Sequence, residues 1–169
     1  MIKAFSALVV VSLLLASAIP LANAQRDSVT IAPDGTNLLG LSVPGNPRVA
    51  IAITTVRLSR ADKLFPVGGF FDQLAQATAV QNLTIAVGTD EVFVWRSVYA
   101  DLINPTAATI RRQGRDYVLT ISCMDGAEAF SAEIFFDSSN VTRRVTRSAL
   151  TPRVAAEDTR YRMSTLGEK

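Results

Sequence analysis

The side chains able to do chemistry in this chain are carboxylates, arginines, aromatic rings and one thiol, because histidine is absent. That absence removes Ser-His-Asp and Cys-His activation of a nucleophile. It also removes His-ligated zinc. Carboxylates can work in pairs without histidine, as they do in glycosidases. Asp90, Glu91, Asp101, Asp125, Glu128 and Glu133 are the candidates. Most fall in predicted turns or on a polar strand face, where solvated surface charges also sit. Sequence sets no distance between them, so no catalytic pair is assigned.

The arginines concentrate late in the chain. Arg111, Arg112 and Arg115 lie near one predicted hairpin, and Arg143, Arg144, Arg147, Arg153, Arg160 and Arg162 follow. Neighbouring strands can gather Arg111, Arg143 and Arg147 on one face as an anion- or carboxylate-binding patch. The same spacing serves cross-strand ion pairing with Glu133 and Asp137. Phe93, Trp95 and Tyr99 can line a ligand groove or a partner surface. Packing against a helix or a second sheet would use the same three rings. Cys123 alternates with Leu119 and Ile121, the setting of a small buried hydrophobe. As the only cysteine it leaves no intramolecular disulfide.

Two motif-like stretches carry no chemistry. Asp34-Gly35-Thr36 follows the strand-like Val29-Thr30-Ile31-Ala32. It resembles the first motif of haloacid-dehalogenase-type phosphatases, yet Ala32 stands where the nucleophilic aspartate belongs. Pro33-Asp34-Gly35 reads as a turn. Ser59 and Lys63 miss the Ser-x-x-Lys spacing, because Asp62 stands in the lysine position. Nothing in the residue pattern asks for a cofactor or a metal.

The N-terminus supplies the context. Lys3 is followed by the apolar run Ala4–Ile19, then Pro20, then Ala22-Asn23-Ala24. Charge, apolar stretch, helix breaker and small residues in that order make a secretory signal peptide over residues 1–24. The rival is an uncleaved anchor, since a spanning helix needs about 20 apolar residues. Export places the remainder in the periplasm or outside the cell. The whole chain carries seventeen Lys and Arg against fifteen Asp and Glu. Loss of Lys3 with the leader leaves sixteen, a net charge of +1 with no concentrated basic field. That balance argues against a nucleic-acid partner. The expected partner is a protein or small ligand of the envelope, with the membrane involved only if the leader is retained.

The elements that must position these residues are mostly strands within a single domain, 25–169. Residues 25–47 read as a loop-rich lead-in after a short strand-like Ser28–Ala32, because Gly and Pro accumulate there. Arg48–Leu58 reads as a strand rich in Val, Ile and Thr. Phe70–Ala79 has the apolar spacing of one short helix. A meander follows: Leu83–Val87, Glu91–Val98, Ala107–Arg112, Tyr117–Met124, Ala129–Phe136 and Val141–Leu150. Thr159–Met163 is either a last edge strand or part of a loose tail, 151–169.

These patterns predict a mainly β fold, all-β or α+β. It is an antiparallel meander of about seven or eight strands, a sandwich or a barrel, with one helix near 70–79. The expected function is a non-enzymatic exported binding or interaction protein of the bacterial envelope. A carboxylate-dependent hydrolase of cell wall or polysaccharide is one alternative. A structural subunit of an envelope assembly is the other.

Overall fold

The computed structural model describes residues 26–58 and 77–163. The expected leader, residues 1–24, and residues 70–76 of the expected helix lie outside the described residues. Thr78 and Ala79, the expected end of that helix, belong instead to a strand. The strands in chain order are β1 (Ser28–Thr30), β2 (Gly35–Leu41), β3 (Val49–Arg57), β4 (Thr78–Val87) and β5 (Asp90–Val92). Then come β6 (Pro105–Gln113), β7 (Asp116–Cys123), β8 (Phe130–Phe136), β9 (Val141–Ser148) and β10 (Glu157–Arg160). They form a six-stranded sheet in the order β1-β6-β7-β8-β9-β10 and a four-stranded sheet in the order β2-β3-β4-β5. All neighbouring strands run antiparallel. The arrangement is sandwich-like, and among the described residues the sheets do not close into a barrel. No helix among the described residues is long and apolar enough to cross a membrane.

Alternation explains which face is buried. Leu119, Ile121 and Cys123 of β7 stand opposite Ile134, Ala132 and Phe130 of β8. This is the face expected from the sequence, and it enters a core shared with Leu39, Ile51, Ile53 and Ile85 of the smaller sheet. Glu133 and Ser131 point the other way, as a half-buried strand requires. Two hairpins turn in two residues each, at Gly88-Thr89 and Gly114-Arg115. In both, only the first turn residue has positive φ, +66° at Gly88 and +64° at Gly114, and glycine accepts that conformation freely.

The lead-in differs from the sequence expectation. Glycine and proline around it suggested loop, yet Gly35–Leu41 pairs with β3 along its whole length. The turn before it is held by side chains. The Ala32 N–H donates to Asn37 Oδ1 at 2.8 Å, and the buried Thr55 hydroxyl donates to the Ala32 carbonyl at 2.8 Å. Asp34 in that turn is exposed. Gly40 sits where β2 meets the segment before β1, and its N–H donates to the Arg26 carbonyl at 2.8 Å. The strand expected over Glu91–Val98 is also shorter. It ends at Val92, and a single 3-10 turn occupies Arg96–Val98.

Backbone bonds join the sheets at further corners. Asn104 takes positive φ, 49°. Asparagine tolerates that region better than most residues. Its N–H donates to the Thr78 carbonyl at 2.6 Å, and its Oδ1 accepts the Thr78 N–H at 2.8 Å. The Met124 N–H donates to the Asn104 carbonyl at 2.8 Å, which ties β7 to the same point.

Ile134 is fully buried on the second of three adjacent long strands, β7, β8 and β9. An Ile134→Ala change is expected to cost about 2–5 kcal/mol, the range for cavities in a packed core. Urea unfolding followed by circular dichroism measures it. A loss below about 1 kcal/mol would mean that this face is not the packed core.

Candidate functional site

An aromatic step forms where the small sheet meets the large one. Beyond β5, the Phe93 N–H donates to the Ser139 carbonyl at 2.8 Å, and the Val141 N–H donates to the Phe93 carbonyl at 3.1 Å. These bonds pin the backbone of Phe93 to the start of β9. Val92 below it and Val98 after it are buried in the core. The Phe93 ring is 50% exposed. It stands edge-on to Trp95, with centroids 4.9 Å apart and planes at 89°. Trp95 in turn stacks on Tyr161 at 5.1 Å and 18°. The Tyr161 N–H donates to the Thr142 carbonyl at 3.0 Å, so the residue after β10 is held against β9. Edge-on and stacked rings both suit the aromatic quadrupole.

A shallow cleft of about 470 Å³ runs beside this step, lined in part by Asn82, Thr84, Glu91, Phe93 and Tyr99. Of the three rings expected from the sequence, Phe93 and Trp95 touch. Tyr99 is half-buried, packs on the core and lines the cleft with Phe93. Tyr161 was missed. Its only sequence signal is an aromatic residue just past a candidate edge strand.

The arginines expected on one face are there. Arg111, Arg143 and Arg147 stand opposite Val118, Phe135 and Ser131 on the outer face of the six-stranded sheet. Each has an acidic partner. Arg111 and Arg147 both bond Glu133, the former at 3.4 Å. Arg143 meets Asp158 through Nε at 2.7 Å and Nη2 at 2.6 Å, a bidentate fork. Its guanidinium also lies 5.4 Å from the Phe135 ring centre. Hydrogen bonding to Arg143 holds the Asp158 carboxyl below its usual range, and the same bond raises Arg143. Asp137 does not join this face as an ion-pair partner in the described contacts. Its Oδ1 accepts the Ser139 and Asn140 N–H groups and shapes the turn beside Phe93.

Sequence reasoning did not single out Arg144. It lies opposite Ile134, on the core face, and is 3% exposed. Nη2 donates to Asp101 at 2.6 Å and Nη1 to Glu157 at 3.2 Å. Its buried Nε has no hydrogen-bond partner among the described residues. A cleft of about 210 Å³ opens here, lined by Arg144, Asp101, Glu157 and Glu128 among others. Asp101 and Glu157 thus converge, each with an oxygen committed to one guanidinium. Among the described residues no group of three or more His, Cys, Asp or Glu is placed to hold a metal ion. Burial, then the nearby Asp101 charge, push the Cys123 thiol from 9.0 up to about 12, while Arg144 pulls the other way. A thiol so raised is a poor nucleophile at neutral pH.

Comparison with known proteins found no matching family model, no matching curated protein and no matching solved structure.

Two tests follow from this electrostatics. The fold favours the protonated Cys123 thiol, so its stabilising share is intact below about pH 9 and is lost as pH rises toward 12. The loss is roughly 1.4 kcal/mol per pH unit inside that window. Urea titrations at pH 8 and pH 10.5 should show a steeper alkaline loss in the natural protein than in Cys123→Ala. Equal slopes would refute the assignment. Separately, Arg144→Ala should cost on the order of 2–3 kcal/mol. That is below the range for fully buried pairs, because water screens the half-exposed Asp101 and Glu157. Arg143→Ala, at an exposed pair, should leave the unfolding midpoint nearly unchanged.

Proposed function

We propose that this chain is an exported, non-enzymatic binding protein of the bacterial envelope, and that the aromatic step at Phe93, Trp95 and Tyr161 is its contact surface. The carrying observation is Phe93. A half-exposed ring is held by two backbone hydrogen bonds and by a ring that is itself stacked. Such a ring loses little conformational freedom on contact, and aromatic anchors of this kind dominate binding energy at interfaces. The arginine face supports this choice indirectly. Arg111, Arg143 and Arg147 already spend their charge on Glu133 and Asp158. An incoming anion would have to displace those carboxylates.

The competing hydrolase would draw on Asp101 and Glu157, the carboxylates that converge. A glycosidase needs one carboxyl that can carry a proton. Here an oxygen of each is already bonded to the Arg144 guanidinium.

The test places a photoreactive residue at position 93 in the full chain expressed in cells, with a second at Asp125 as control. Asp125 precedes β8, whereas Phe93 bonds to the turn after β8. A discrete adduct is expected from position 93 and none from 125. Trp95→Ala should weaken capture by at least about tenfold, the size of a hot-spot loss. Equal adducts from both positions, or capture indifferent to Trp95→Ala, would end this reading.

A further inference from the structure

We propose that the free edge of β10 pairs with β10 of a second copy of this chain, antiparallel and centred on Thr159. This goes beyond the aromatic contact and stands on separate residues. β10 closes the order of the six-stranded sheet, so among the described residues no strand covers its outer side. An open edge offers a row of unpaired backbone donors and acceptors, and proteins usually blunt it by shortness, charge, proline or a bulge. Glu157–Arg160 is short and mostly charged, but it has no proline or register shift, and its charges are of both signs, which deters a like-charged edge and suits a complementary one. The edge beyond β5 is treated differently, since Phe93 is already bonded to Ser139 and Val141.

The charges of β10 are complementary to themselves. Asp158 and Arg160 stand opposite Val145 and Arg143, so both point to the outer face. A two-fold axis perpendicular to the sheet makes neighbouring copies antiparallel and keeps each face continuous. Centred on Thr159, it sets Asp158, already forked by Arg143 of its own chain, against Arg160 of the second copy, and Arg160 against Asp158. Opposite charges directly across an antiparallel pair are favourable.

Exposed apolar residues flank the strand. Leu150, Val154 and Met163 are three of the large apolar residues left exposed among the described residues, at 71%, 65% and 62%. Val154 lies three residues before β10 and Met163 three residues after it. An edge left uncovered among the described residues and a self-complementary charge pair, flanked by exposed apolar residues, fit a second copy of this chain.

The experiment is sedimentation velocity on protein purified from cells expressing the full chain. The interface is small, so the series runs to about 1 mM to catch a weak dimer. A reversible monomer–dimer equilibrium is expected. Arg160→Asp sets like charges together twice by symmetry, and Asp158→Arg does the same with the opposite sign. Each alone should weaken the dimer by about tenfold or more, since like charges directly opposite repel. Mixing the two variants restores both opposite-charge pairs, so the mixture should associate as a heterodimer. Circular dichroism checks that each variant is folded, and the mixture serves as the control for a misfolded edge. A natural protein that stays monomeric throughout the series would overturn the proposal. So would unweakened single variants, or a mixture that fails to associate.

Discussion

Two short sheets have to bury one apolar face each, and each is the other's cover. Ile51, Ile53 and Ile85 of the small sheet and Leu119, Ile121 and Ile134 of the large one are removed from water only if the sheets stay stacked. The chain enforces this at its corners, where backbone groups of one sheet bond to the other or to its connections. Gly40 reaches Arg26, Asn104 reaches Thr78, and Phe93 reaches Ser139 and Val141. Each bond satisfies backbone polar groups where a strand ends. The Phe93 corner has a consequence for the surface, because pinning that backbone leaves the ring outside, against Trp95.

The same stacking separates two neighbouring arginines. Arg143 and Arg144 are consecutive, so the pleat sends them to opposite faces. Arg143 lies on the outer face with a bidentate carboxylate and an aromatic ring beneath it. Arg144 is taken into the interior, where it bonds Asp101 and Glu157. Burying a guanidinium is costly unless its partners are close. Those partners come from the turn region before β6 and from β10, so the pair ties the last strand to the body of the domain. β10 is thereby held on both faces, by Glu157 inside and Asp158 outside.

Much of the fold was legible because strand periodicity is local. Phe130, Ala132, Ile134 and Phe136 alternate with Ser131, Glu133 and Phe135, and they face the core as that pattern requires. The glycines at 88 and 114 fall between apolar runs, and the structure turns a two-residue hairpin at each. β2 was not legible. Its glycines and flanking prolines imitate a loop, and only the ladder to β3 makes it a strand. Arg144 was not told apart from the other arginines for a related reason, since an arginine among Val, Thr and Arg reads as surface until the sheet is built. Tyr161 joins Trp95 across more than sixty residues of chain, a contact no local pattern encodes.

The sequence by itself determined the class of this protein: a nearly charge-balanced, histidine-free chain whose alternation makes antiparallel β structure. It also determined that Arg111, Arg143 and Arg147 could share a face, because parity along paired strands is a property of spacing. Tertiary structure alone decided sandwich over barrel, the burial of Arg144, the pairing of each surface arginine and the exposure of Phe93. The physical reason is that alternation assigns a side chain to a face. What lies against that face depends on contacts between residues far apart in the chain, and their geometry exists only once the two sheets close.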